Sequence, residues 1–156
     1  MKKPDGKARL VGINHVALEV DDLERALDFY AALFDFELRG RSEKMAFLDM
    51  GDQFLALAEG RTQKADEHRH FGLVVDSREG MRAQLEKLGA EILPSRGLDF
   101  LDPWGNHIQV VVYEDIQFTK AANVLCGMNL EHLGKTSQAQ RELADKGMSF
   151  DKTESR

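Results

Sequence analysis

The sequence is poor in cysteine and contains no long apolar run. Cys126 is the only cysteine among the 156 residues, so no disulfide can form within one chain. No stretch reaches the roughly 20 apolar residues that a membrane-spanning helix needs. The basic residues Lys2, Lys3 and Lys7 are not followed by the apolar segment of a signal peptide. We therefore expect a protein of a reducing compartment, the cytoplasm.

An excess of positive charge is also absent. The 27 acidic residues outnumber the 21 basic ones, and the formal net charge is −6. Nucleic acids and anionic membranes bind clustered positive charge, so we expect neither as a partner. The 42% of hydrophobic and 31% of charged residues are typical of a globular domain with its own core.

One pattern of secondary structure begins near residue 11. The alternation of apolar and polar residues over 11–20 predicts a strand, and Asp21 and Asp22 offer caps for a helix that reaches about Phe34. Apolar residues recur along this helix at steps of three and four. Three short strands are predicted after it, at residues 36–41, 45–50 and 54–59.

The same pattern is repeated after a polar linker at residues 60–67. His15 and His70 are 55 positions apart, as are Leu33 and Leu88. The second helix is expected to begin at Asp76 or Ser77 and to end at a glycine. The second set of strands is predicted at residues 70–75, 90–93, 98–101 and 107–113. This repeat predicts an α+β domain over residues 1–113, with two βαβββ units (11–59 and 68–113) whose sheets face a cavity.

Residues 114–156 belong to neither unit and read as a helical tail. One helix is predicted over 116–128, and a second begins at Ser137, where Gln140 completes a capping box. The tail is expected to cover a sheet edge, to close the cavity or to contact a second subunit. Residues 1–9 and the last six residues are expected to be loose.

Two segments resemble a known superfamily. The helix DLERALDFYAALFDFEL follows a strand that carries NHVALEV, and the second unit ends in LDPWGNHIQVVV. Together they resemble the vicinal oxygen chelate superfamily, which includes glyoxalase I, bleomycin-resistance proteins, fosfomycin-resistance enzymes and extradiol dioxygenases. The resemblance covers residues 11–113. It implies paired βαβββ units, a divalent ion (iron, manganese, nickel or zinc), a small-molecule ligand and a homodimer.

The resemblance also implies positions for the metal ligands, on the first and last strands of each unit. It assigns His15 and His70 on the first strands, and Leu55 and Gln109 on the last ones. Leu55 cannot bind a metal. Two histidines and one carboxylate would form a facial triad, but Gln109 offers only a neutral oxygen. We therefore expect weaker metal binding and a bound ion whose charge is less compensated.

Neighbours of these positions are candidates for acid–base chemistry, since residues two positions apart share one face of a strand. His107 shares the face of Gln109, and Glu59 shares the face of Leu55; we predict His107 and Glu59 as catalytic residues. Glu19 and His68 are further candidates by the same rule. The plainer interpretation is that these are rim residues and that the histidines form ordinary hydrogen bonds.

Two functions follow from the resemblance. The first is a metal-dependent lyase, isomerase or dioxygenase that binds two adjacent oxygens of a small substrate. The alternative is a metal-free protein that binds or sequesters a small molecule, as the bleomycin-resistance branch does. Glyoxalase I activity is not expected, because Leu55 and Gln109 occupy ligand positions. Fosfomycin-type thiol transfer is not expected either, because Ala17 and Gln109 replace the usual threonine and carboxylate.

Overall fold

The structure, a computed structural model, describes residues 11–149. It confirms two βαβββ units, each with its own four-stranded sheet. The expectations for residues 1–9 and for the last six residues lie outside the described residues.

The two units share one topology. The first consists of β1 (His15–Val20), α1 (Leu23–Leu33), β2 (Leu38–Arg41), β3 (Met45–Asp49) and β4 (Phe54–Glu59). The second consists of β5 (Phe71–Val75), α2 (Met81–Lys87), β6 (Glu91–Leu93), β7 (Leu98–Leu101) and β8 (His107–Val112). The strand orders are β1-β4-β3-β2 and β5-β8-β7-β6, and the first and last strands of each unit pair in parallel. The tail adds α3 (Ala122–Gly127) and α4 (Ser137–Ala144).

The two helices of the repeat begin differently. Asp22 caps α1 as predicted, because its Oδ1 accepts the backbone N–H of Arg25 at 2.8 Å. The predicted cap of α2 is wrong: this helix begins after Gly80, which has φ of 76° and provides no side-chain cap. Asp76 and Ser77 instead form the preceding turn, where the Ser77 hydroxyl accepts the N–H of Glu79.

The tail is less helical than predicted. The helix expected over 116–128 is reduced to α3, because local hydrogen bonds hold the chain before it in a turn. The Thr119 hydroxyl donates to the carbonyl of Gln117, and the N–H of Lys120 donates to the Tyr113 hydroxyl. The cap of α4 lies one residue earlier than expected, on Thr136, whose hydroxyl accepts the N–H of Ala139.

Both units contribute to one hydrophobic core. Phe29 of α1 packs against Phe100 and Trp104 of the second unit, with ring centroids 6.3 and 6.4 Å away. Phe100 and Trp104 are therefore part of the core. Because α1 contacts residues of the other unit, neither unit buries its apolar surface alone.

A buried polar contact joins the units within this core. The Tyr30 hydroxyl donates to Oδ2 of Asp102 at 2.9 Å, and the Tyr30 side chain is fully buried. Oδ1 of Asp102 accepts the N–H groups of Trp104 and Asn106, both at 2.9 Å. Burial raises the pKa of Asp102, although these hydrogen bonds oppose the shift. Asp102 therefore organises the turn before β8 and attaches it to α1.

We predict that Tyr30→Phe lowers the free energy of unfolding by about 1–2 kcal/mol, because it removes one hydrogen bond to a buried carboxylate. Urea unfolding would measure this loss. Asp28→Asn, an exposed change on the same helix, is the control and should stay within about 0.5 kcal/mol of the parent. Equal stability of Tyr30→Phe and the parent would contradict a role for this contact.

Candidate metal centre

Each sheet has one face in the core and one open face. Along β1, Leu18 and Val20 are buried, whereas His15 and Ala17 are exposed and Glu19 is half-buried. Since side chains alternate along a strand, His15 lies on the open face of the first sheet. His70, directly before β5, has the corresponding position in the second unit.

The open face of the second sheet carries four neighbouring polar side chains. The rings of His70 and His107 are 5.0 Å apart between centroids. Nε2 of His107 lies 2.8 Å from Oδ2 of Asp99. Gln109 is half-buried and pairs in register with Asp99 on β7 and with Gly72 on β5. The structure therefore brings together His70, His107 and Gln109 and adds Asp99 to them.

Asp99 is the residue that the sequence analysis missed. Its position in the otherwise apolar strand LDFL is the signal that marks it, because a buried carboxylate needs a partner. Burial works to raise the pKa of Asp99. The hydrogen bond from His107 and the nearby Ser95 hydroxyl oppose this effect, and the net pKa of Asp99 is lowered. Asp99 is therefore ionised at neutral pH.

The open face of the first sheet is aromatic around its histidine. The His15 ring stacks on Phe54, with centroids 4.7 Å apart and planes 9° apart. Phe47 contacts the edge of Phe54, and the Arg39 guanidinium lies 4.9 Å from the centre of the Phe54 ring. His15 and His70 therefore have different ring partners.

Among residues 11–149, no three His, Cys, Asp or Glu side chains converge as a metal-binding group.

The register corrects the position assigned to Leu55. In the second unit Gly72 pairs with Gln109, and in the first the corresponding Ala17 pairs with Ala56. Ala56 is therefore the counterpart of Gln109, while Leu55 packs in the hydrophobic core. Aligning the turn glycines, Gly51 and Gly105, gives Leu55, but β4 begins one position further from its glycine than β8 does. A slip of one residue exchanges the two faces of a strand. Neither Leu55 nor Ala56 can bind a metal, so this strand provides no ligand.

The acidic candidates have other contacts. Oε2 of Glu59 accepts the N–H of Leu23 at 3.0 Å, which places its carboxylate at the start of α1 and away from the open face. Its catalytic role stays a prediction without a contact to either histidine. The Glu19 carboxylate accepts the N–H groups of Thr62 and Gln63. These hydrogen bonds lower the pKa of Glu19, and the one from Thr62 has the largest effect. Glu19 therefore holds the linker between the units.

A cavity of about 540 Å³ lies between the two units and the tail. Its lining is mostly apolar and includes Leu33, Leu73, Met81, Phe118 and Leu125. None of the three predicted metal ligands lines it. A second pocket, of about 170 Å³, adjoins His70 and contains Ala17 and Asn106 in its wall. The tail therefore contributes part of the wall of the larger cavity, whereas the predicted metal ligands do not line it.

Three contacts hold the tail in place over this cavity. The Lys120 ammonium pairs with Asp52 in the turn between β3 and β4. The Lys135 ammonium donates to the carbonyls of Tyr113 and Phe118 and lies 3.4 Å from the centre of the Tyr113 ring. Met128 packs against Gly51 of the same turn.

Comparisons with known proteins agree with this architecture. Residues 12–110 match the family model of the Glyoxalase/Bleomycin resistance protein/Dioxygenase superfamily. The metallothiol transferase FosB of Bacillus licheniformis is 26% identical, over 70% of this chain and 82% of that protein. No helix within residues 11–149 is long and apolar enough to cross a membrane.

Solved structures show the same fold. A mutant of the fosfomycin resistance protein FosX from Listeria monocytogenes, complexed with Mn(II) and 1S,2S-dihydroxypropylphosphonic acid, superposes with a TM-score of 0.57. The two chains are 20% identical, and the match covers 65% of this chain and 92% of that one. Lactoylglutathione lyase from Agrobacterium tumefaciens gives a TM-score of 0.54 at 21% identity, over 67% and 96% of the chains.

The paired βαβββ units, with a histidine at the same position on each open face, define a two-unit domain of the vicinal oxygen chelate class. Since the family model matches more than half of the chain, the protein belongs to the Glyoxalase/Bleomycin resistance protein/Dioxygenase superfamily. The resemblance seen in the sequence is thereby confirmed.

We predict that Gly51→Ala detaches α3 from the turn between β3 and β4. Gly51 has φ of 87°, and an added Cβ would lie 2.6 Å from Sδ of Met128 and 3.1 Å from Cγ1 of Val124. Hydrogen exchange over residues 122–128 should become faster. Gly60→Ala is the control, since Gly60 also has a positive φ but no atom within 4 Å of the added Cβ. Unchanged exchange in α3 would contradict this anchoring.

Proposed function

We propose that the chain binds a divalent metal ion through His15, His70 and Gln109 and presents it to a small substrate with two adjacent oxygens. The hydrogen bonding of the two histidines carries this proposal. Nδ1 of His15 lies 2.8 Å from Oδ1 of Asn14, and Nδ1 of His70 lies 3.0 Å from the carbonyl of His68. Since an amide oxygen only accepts, each Nδ1 donates and each Nε2 keeps its lone pair. Metal-binding histidines are typically held in this way.

The chain's own residues would bind and orient the substrate. When bound, the metal would act as a Lewis acid on a substrate oxygen. The carboxylate of Asp99, across from Gln109 in the register, would repel a phosphonate such as the one bound to FosX. We therefore expect a substrate with less negative charge, in a lyase, isomerase or dioxygenase reaction. Among iron, manganese, nickel and zinc, manganese has the support of the FosX complex.

We also propose a homodimer. β1 and β5 are edge strands of their sheets, with Ala17 and Gly72 exposed along them. An edge strand leaves backbone donors and acceptors unpaired, and pairing with another copy satisfies them. His15 and His70 lie beside these two edges, so a second copy could bring the His15 of one chain to the His70 of the other. The expected setting is the cytoplasm, as the single cysteine indicates.

The first test is elemental analysis of protein purified without chelators or a polyhistidine tag. We expect near-stoichiometric metal in the parent and its loss in the double variant His15→Ala/His70→Ala, because both free imidazole nitrogens disappear. His132→Ala, which removes an exposed tail histidine, should keep the metal. A parent that stays empty after addition of manganese, iron, nickel and zinc would reject the proposal. The metal-free alternative would then direct the search to a ligand of the 540 Å³ cavity.

We predict that Gln109→Glu tightens divalent metal binding by roughly tenfold, about 1.4 kcal/mol, because a carboxylate adds a negative charge to the site. Isothermal titration calorimetry would measure the change. Gln84→Glu, which adds the same charge on α2, is the control and should bind like the parent. Equal or weaker affinity of Gln109→Glu would show that Gln109 is not a ligand.

A further inference from the structure

The two units differ at the positions around their histidines. The register makes four positions on each open face equivalent: His15, Phe54, Ala56 and Phe47 in the first unit correspond to His70, His107, Gln109 and Asp99 in the second. Only the histidine is polar in the first unit, whereas all four residues are polar in the second. The fold alone therefore does not require His107 and Asp99, because an apolar pair serves at the same positions.

The pair of His107 and Asp99 is buried and incompletely satisfied. The two side chains are 13% and 8% exposed. His107 Nδ1 and Asp99 Oδ1 are buried without a hydrogen-bond partner in the described part of the chain. Native proteins satisfy nearly all buried polar atoms, and the exceptions are typical of sites that receive an ion or a ligand. These two atoms are therefore an independent sign of a binding site.

The hydrogen bonds also define which nitrogens are free. Nε2 of His107 lies 2.8 Å from Oδ2 of Asp99; this carboxylate oxygen accepts the N–H, and Nδ1 keeps the lone pair. His70 donates from Nδ1 to the His68 carbonyl and keeps its lone pair on Nε2. Two imidazoles bound to one ion at about 2.1 Å have ring centroids on the order of 5 Å apart. The observed separation of the His70 and His107 rings is 5.0 Å.

We propose that His107 is a metal ligand through Nδ1, beside His70, and that Asp99 is the positioning residue that holds its tautomer. The proposal rests on the proposed function only for the presence of a metal. A carboxylate behind a metal-binding histidine raises the basicity of the imidazole and fixes the direction of its lone pair. Gln109 adds no negative charge to the site. The carboxylate of Asp99, which is hydrogen-bonded to His107, would supply this charge instead. The ion would first bind the residues of the second unit, and His15 would join its ligands afterwards.

The main test compares Mn²⁺ affinity by calorimetry in the parent and in His107→Phe. This substitution copies the residue at the equivalent position of the first unit, where the fold accepts a phenyl ring. We expect affinity to fall at least tenfold, and more than in His15→Ala. His68→Ala is the control: it removes an exposed imidazole but keeps the carbonyl that accepts from His70, so its affinity should equal that of the parent.

A second measurement tests the positioning role of Asp99. Ring ¹⁵N spectra without metal should show His107 as the Nε2–H tautomer in the parent and in Asp99→Asn, which keeps an acceptor oxygen. In Asp99→Ala the Nδ1–H form should appear. Both variants should lose about tenfold or more in Mn²⁺ affinity. A purely structural role would lower stability without moving either the tautomer or the affinity.

Two outcomes would overturn the inference and are distinguishable. If Mn²⁺ binds His107→Phe as tightly as the parent, and does not broaden the ring signals of His107 in the parent, His107 is not a ligand. The proposed function then stands on His15, His70 and Gln109. If the parent binds none of manganese, iron, nickel and zinc, both proposals fail together.

Discussion

The buried carboxylate of Asp102 is the constraint on which the arrangement of the two units depends. It accepts hydrogen bonds from the Tyr30 hydroxyl of one unit and from the Trp104 and Asn106 amides of the other. The side-chain amide of Asn106 also donates to the backbone carbonyl of Glu19, near the end of β1. The turn before β8 is therefore fixed to both α1 and β1. Because β8 begins at His107, this turn also sets where His107 and Gln109 lie relative to the first unit.

Much of the fold was predictable because its signals are local. Strand alternation, helical spacing and the 55-residue repeat indicate both units, and the strand at Phe54–Glu59 has the predicted bounds. The predicted helix boundaries were wrong where side chains form local hydrogen bonds that compete with those of a helix. Ser77 belongs to a turn rather than to the first position of α2, and the bonds of Thr119 and Lys120 shorten the tail helix. Side-chain competition of this kind leaves little trace in hydrophobic periodicity.

The candidate site was predictable only in part, for a different reason. His15 and His70 follow from the repeat, and Gln109 follows from the resemblance of its strand to the superfamily. The contact between His107 and Asp99 joins two strands diagonally, and its register depends on the length of the intervening turn. A difference of one residue in the corresponding turn of the first unit made Leu55 look equivalent to Gln109. Pairing between strands is a tertiary property, which a single-strand pattern does not contain.

The two units surround their histidines differently, and this asymmetry bears on the metal binding that we propose. His15 stacks in parallel on Phe54, and this stack confines its ring beside an apolar surface. His70 faces His107, and the ionised Asp99 behind His107 attracts a cation before any ligand is in place. A divalent ion bound as we propose would therefore be drawn first to the second unit, where His70, His107 and Gln109 lie on one open face. The aromatic surface of Phe54 and Phe47 beside His15 is suited to contact an apolar part of a substrate.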